Sequence, residues 1–94
     1  MSQAPTSGTL EIVNPLGLHA RAASKLVALA NTYTADTYLA KADAEDWVNA
    51  KSILGVLMLA CAQGSHIQLK CEGPDAGDAW AALSALVKDG FGEL

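Results

Sequence analysis

Two histidines carry most of the reactive chemistry that this 94-residue chain offers, and their surroundings separate them. His66 falls on the polar side of an alternating segment with Gln68 and Lys70, where an imidazole is ordinarily a solvated surface group, and it is assigned no function. His19 stands in the run Asn14-Pro15-Leu16-Gly17-Leu18-His19-Ala20-Arg21, directly ahead of an amphipathic segment. The first turn of a helix leaves its N–H groups unpaired and carries about half a positive charge, so an anion placed there is favoured twice over. An imidazole titrates at about pH 6.5, so at neutral pH a ring nitrogen has a free lone pair and is nucleophilic without a dedicated base. Arg21 adds a permanent charge with planar donors that match phosphate oxygens. Transfer of a phosphoryl group needs mainly alignment and charge stabilisation, and these three parts supply both. The same spacing also describes a helix-capping histidine beside an exposed arginine, and the residues alone leave both readings open.

The other reactive side chains point to less. Cys61 and Cys71 form no CxxC pair and no cluster with His, which fits neither a disulfide framework nor a zinc site. Both are read as reduced, with Cys71 packed as a small hydrophobe, and no metal or organic cofactor is expected. Ser52 precedes the apolar run Ile53-Leu54-Gly55-Val56-Leu57-Met58-Leu59 and reads as the N-cap of a short helix. That helix is apolar around most of its circumference, and a small domain buries only part of it. Leu54, Leu57 and Met58 are therefore expected in a partner-binding patch next to His19, the alternative being coverage by the tail around Phe91.

The elements that must position these residues follow from periodicity and turn signals. A strand is predicted over residues 10–14, bounded by Gly8 and by Pro15 with Gly17. Ala23, Leu26, Val27 and Ala30 recur at i, i+3, i+4 and i+7, predicting a helix over 20–33. Residues 36–41 and 46–50 read as a hairpin around the polar turn 42–45. Residues 65–72 alternate, with Ile67, Leu69 and Cys71 on one face, and Pro74 and Asp75 introduce a last helix whose Ala79, Leu83, Leu86 and Val87 share a stripe, stopped by Gly90. The order is β-α-β-β-α-β-α. Strands with one polar face suit a four-stranded antiparallel sheet with three helices on the other face, a two-layer α+β domain. The stripes centred on Leu26 and Leu83 should pack against Leu10 or Ile12, Ile67 and Leu69.

Composition bounds the class. Ninety-four residues make one domain, spanning 1–94 with residues 1–8 as a flexible lead. With 51% hydrophobic and 17% charged residues, the chain can build a core without staples. Six basic against ten acidic residues, a net charge of −4, argue against nucleic-acid binding, and with only 5% aromatic residues an RNA-binding module is remote. No basic segment followed by an apolar run opens the chain, and no stretch approaches the roughly 20 apolar residues that span a bilayer. The expectation is a cytoplasmic monomer with no membrane insertion.

Two segments also carry a likeness. Gly17-Leu18-His19-Ala20-Arg21-Ala22-Ala23 resembles the active-site motif of HPr, the histidine phosphocarrier of the bacterial phosphotransferase system, and Asn49-Ala50-Lys51-Ser52-Ile53-Leu54-Gly55-Val56-Leu57 resembles that family's second signature. The resemblance implies an open-faced β-sandwich in which His19 accepts a phosphoryl group on Nδ1 from Enzyme I, with Arg21 as its charge partner, and passes it to IIA components. Such a protein is a reactant in a transferase relay rather than an enzyme in itself. The likeness also implies Ser52 as a regulatory phosphorylation site for an HPr kinase. A phosphate there should be tolerated by the fold while disturbing the partner patch. The alternative is a regulatory protein of the same fold, in the nitrogen-related branch or controlled through Ser52, with transfer secondary. One position departs from the family pattern: Ala22 stands where Pro usually follows the Arg. This loses a φ restraint worth about 0.4–1 kcal/mol and bears on how firmly the loop is pre-organised.

Overall fold

A computed structural model describes residues 6–94. The described elements are β1 (Thr6–Glu11), α1 (Ala20–Ala30), β2 (Asp36–Lys41), β3 (Val48–Asn49), α2 (Ile53–Met58), β4 (His66–Glu72), α3 (Ala76–Lys88) and a 3-10 turn over Gly90–Gly92. The strands form one sheet in the order β1-β4-β2-β3 with every pairing antiparallel. The expected element order and the α+β open-faced sandwich are both present.

The two-residue period of the strands decides which side is covered. Leu10, Thr37, Leu39, Ile67, Leu69 and Cys71 are buried on the helix side, whereas Asp36, His66, Gln68 and Lys70 look outward. Leu26 of α1 and Leu83 with Val87 of α3 complete that core together with Ile12, as the stripes predict. On the open face Lys70 lies 4.5 Å from the centre of the Trp47 ring and 5.4 Å from that of Tyr38, holding the 42–47 loop over the sheet.

Several boundaries differ from the sequence expectation. The first strand begins at Thr6 rather than at residue 10, so Thr6 to Gly8 of the expected flexible lead pair with Cys71 to Leu69, while residues 1–5 lie outside the described residues. Gly8, read as a boundary, is interior to β1 because Trp80 of α3 lies across it; a Cβ there would come within 2.7 Å of the Trp80 ring. Helix α1 stops at Ala30 instead of 33, where Asn31 and Thr32 turn back onto the carbonyls of Val27 and Leu29. The third predicted strand, over residues 46–50, shrinks to Val48–Asn49. Its approach is drawn into a loop whose Ala44 carbonyl, with those of Lys41 and Ala42, accepts from the Gln68 amide.

Asp75 precedes α3, but its side chain makes no capping bond; it accepts instead from the backbone N–H groups of Thr34 at 2.9 Å and Ala35 at 2.7 Å. Those donations, Thr34's foremost, hold its carboxyl below the usual range and tie the start of β2 to the start of α3. Cys71 is wholly buried, and burial first, then the Asp75 carboxylate, pushes its thiol up to about 11. Burial also raises the thiol of Cys61. Both remain protonated at neutral pH, and neither forms a disulfide.

Candidate functional site

The site begins with a turn that the sequence signals through Pro15 and Gly17. Gly17 donates its N–H to the Asn14 carbonyl at 3.1 Å and takes φ +66°, a conformation that only glycine adopts freely. Leu18 then donates to the Cys61 carbonyl at 2.9 Å, which docks the loop on the segment that follows α2. His19 is delivered as the N-cap of α1 with extended backbone, and its Nδ1 accepts the Arg21 N–H at 3.3 Å. Nδ1 thus faces the first turn of the helix, where phosphate donors would lie. Of the two readings the residues left open, the cap is present, and it turns the Nδ1 lone pair onto the first turn of α1.

Arg21 is exposed and makes no ion pair among the described residues. Beside it, Pro15, Leu16, Arg21, Lys25, Gly92 and Glu93 line an open basin of about 480 Å³. Ala22 is fully buried at the third position of α1, where a backbone N–H has no intrahelical acceptor, so alanine fills the place usual for proline without changing the hydrogen-bond count.

The other ring nitrogen is also engaged. Nε2 lies 2.5 Å from Glu93 Oε2, and Glu93 Oε1 accepts from Asn14 Nδ2 at 3.0 Å. The Asn14 bond chiefly, and then His19, hold the Glu93 carboxyl below its usual range despite partial desolvation. Glu93 reaches the ring because the chain reverses after α3: Phe91, at φ 57°, is wholly buried against the core, and Lys25 Nζ donates to its carbonyl at 2.7 Å. Sequence reasoning passed over Glu93 and gave Asn14 no role of its own. An asparagine ahead of a Pro-Leu-Gly turn reads only as a turn former, and a glutamate 74 positions away has no local signal.

The remaining sequence-predicted residues fall at different distances from this centre. Ser52 caps α2, its Oγ accepting from Gly55 N at 3.3 Å. The segment after α2 touches the His19 loop, whereas Lys51, ahead of α2, accepts from Asn31 at the far end of α1. The two helices therefore run antiparallel, and Ser52 sits about 9 Å of helix rise away from the end of α2 nearest His19. Leu54 and Met58 are 67% and 73% exposed, Leu57 is 37% exposed, and Leu16 in the His19 loop is 71% exposed. The tail around Phe91 packs on α1 and α3 and leaves this surface open. His66 is exposed, 4.0 Å from Glu11, as a solvated histidine would be. Among the described residues no group of three or more His, Cys, Asp or Glu gathers as a metal site would require, and no helix is long and apolar enough to cross a membrane.

An open-faced sandwich that presents an imidazole at a helix start, with no enclosed cleft around it, is the architecture of a small HPr-like domain. The family model for the PTS HPr component phosphorylation site matches residues 6–89. The phosphocarrier protein HPr of Neisseria meningitidis serogroup A is 42% identical over 85 residues, covering 90% of this chain and 93% of that one. The phosphocarrier protein NPr of Klebsiella oxytoca is 41% identical over the same length and coverage. Among solved structures, HPr-C-His from Thermoanaerobacter tengcongensis superposes with a TM-score of 0.88 at 38% identity, covering 95% of this chain and 98% of that one. The chain belongs to the HPr family, the phosphocarrier proteins of the phosphotransferase system.

Proposed function

We propose that this phosphocarrier takes a phosphoryl group from Enzyme I onto His19 Nδ1 and hands it to IIA components, in the cytoplasm and as a monomer. The observation that carries this reading is the opposite engagement of the two ring nitrogens: Nε2 is closed off by Glu93, while Nδ1 looks into the first turn of α1. A phosphoryl group on Nδ1 would displace the weak cap from Arg21 N–H and take the open amides and the Arg21 guanidinium in exchange. The protein is consumed and regenerated at each turnover rather than acting as an enzyme. Incubation with Enzyme I and phosphoenolpyruvate, followed by intact-mass analysis, should show one acid-labile phosphoryl addition. No addition with a competent Enzyme I would remove the reading. The near-equal likeness to HPr and NPr proteins keeps a nitrogen-related regulatory branch as a second reading.

Leu54, Leu57 and Met58, with Leu16, form the docking surface for Enzyme I and the IIA components in this proposal. Ser52 stands at the remote end of that surface, so a phosphate added there by an HPr kinase acts on docking and not on His19 directly. Ser52→Asp should therefore leave the melting temperature close to that of the wild type while slowing phosphorylation by Enzyme I. Unchanged transfer kinetics would refute control through this residue.

A further inference from the structure

The group that closes Nε2 has a geometry too specific for a simple tether. Asn14 is wholly buried, and its amide nitrogen donates both to Gly17 O at 2.8 Å and to Glu93 Oε1 at 3.0 Å. Both partners are acceptors only, which fixes the nitrogen end of the amide and forbids a flip. The cost is visible: Asn14 Oδ1 is left as a buried acceptor with no partner among the described residues, which is destabilising. Glu93 in turn is placed by a buried Phe91 and by Lys25 on the Phe91 carbonyl, so its carboxylate meets the imidazole edge from a fixed direction.

We propose that Glu93, oriented by Asn14, is a positioning residue for phosphoryl transfer: it holds the imidazole proton on His19 Nε2 and so keeps the lone pair on Nδ1. This rests on the reading of His19 as acceptor. An ionised carboxylate can only accept, so a neutral ring facing it must carry its hydrogen on Nε2. In the forward step the Nδ1 lone pair forms the N–P bond while the bond from phosphorus to the donor breaks, its electron pair leaving with the donor. No proton moves within the ring. The positive charge gained by the imidazole then lies against Glu93. In the onward step the N–P bond breaks toward Nδ1, and the ring departs as neutral imidazole with the Nε2 hydrogen still in place. Without that hydrogen it would have to leave as imidazolate, a far poorer leaving group.

A glutamine at position 93 makes the test sharp, because Asn14 cannot turn round. The Gln oxygen must accept from Asn14 Nδ2, which aims the Gln NH₂ at the ring and demands an unprotonated Nε2. Glu93→Ala leaves Nε2 to water, so only the weak 3.3 Å bond from Arg21 N–H to Nδ1 still favours Nε2–H. The ring ¹⁵N shifts of His19, read at a pH where the imidazole is neutral, should report Nε2–H in the wild type, a mixture in Glu93→Ala and mainly Nδ1–H in Glu93→Gln. Phosphoryl transfer from Enzyme I should fall in the same order, by roughly tenfold or more in Glu93→Gln. A tether role predicts the reverse ranking, since glutamine is the closer replica of glutamate. Glu93→Gln matching or exceeding Glu93→Ala in rate, or keeping Nε2–H, would overturn the proposal while leaving His19 as acceptor. Failure of the wild type itself to be phosphorylated would count against the acceptor reading instead.

Discussion

His19→Ala should accept no acid-labile phosphoryl group from Enzyme I, and should do so while still folded. The substitution removes the ring nitrogen that accepts from Arg21 N–H at the start of α1. His66 offers no substitute: it lies exposed on the open face of β4, with Glu11 its only neighbour of opposite charge among the described residues. Losing the cap from Nδ1 to Arg21 N–H costs about 0.5–2 kcal/mol, and the 3.3 Å length places this bond toward the weaker end. For a domain of this size a destabilisation of about 1 kcal/mol lowers Tm by roughly 4–8 °C, so the variant remains fully folded at room temperature. His66→Ala is the control and should be phosphorylated at the wild-type rate. Intact-mass analysis after incubation with Enzyme I and phosphoenolpyruvate decides the matter, and wild-type stoichiometry in His19→Ala would place the acceptor elsewhere.

What the sequence made legible follows the range of the forces involved. Helix α1 and strand β4 announce themselves because their burial is set by periods of 3.6 and 2 that any window of the chain displays. Ser52 announces α2 for the same reason, since an N-cap bond spans three residues. The start of β1 did not, because Thr6-Ser7-Gly8-Thr9 has no apolar alternation. Those residues become a strand through pairing with β4 and through the Trp80 ring on Gly8, both made by residues some 60 to 70 positions away. The site divides along the same line. His19 and Arg21 are two residues apart and carry their own helix start, so their chemistry could be read directly. Glu93 arrives only after Gly90 and Phe91 reverse the chain and Phe91 finds the core, and nothing local marks an acid there as a partner for an imidazole.

Gly17→Ala should be the most damaging single-methyl change near the site. At φ +66° any L side chain is strained by about 1–2 kcal/mol. The added Cβ would also lie 2.4 Å from Cys61 O and 2.9 Å from Ala62 Cα, both backbone atoms with no rotamer to yield. Relief requires the 15–19 loop to lift from the segment after α2, breaking the Leu18 to Cys61 hydrogen bond. The Gly17 carbonyl, which accepts from both His19 N and Asn14 Nδ2, moves with it, so the ring and the residue that orients Glu93 lose their registration together. The combined strain and overpacking amount to roughly 2–4 kcal/mol, a Tm drop of about 10 °C or more. Gly64 supplies the comparison: its φ is +89°, yet a Cβ there meets nothing within 4 Å. Gly64→Ala should therefore show the backbone strain alone, a smaller fall in Tm with phosphoryl transfer near the wild-type rate. Measured side by side at a temperature where both variants are folded, Gly17→Ala should transfer at least roughly tenfold more slowly than Gly64→Ala, because a displacement on the order of 1 Å at a reacting nitrogen is costly in rate. Equal stability and equal transfer in the two variants would show that the contact of Gly17 with the Cys61 carbonyl does not hold His19 in place.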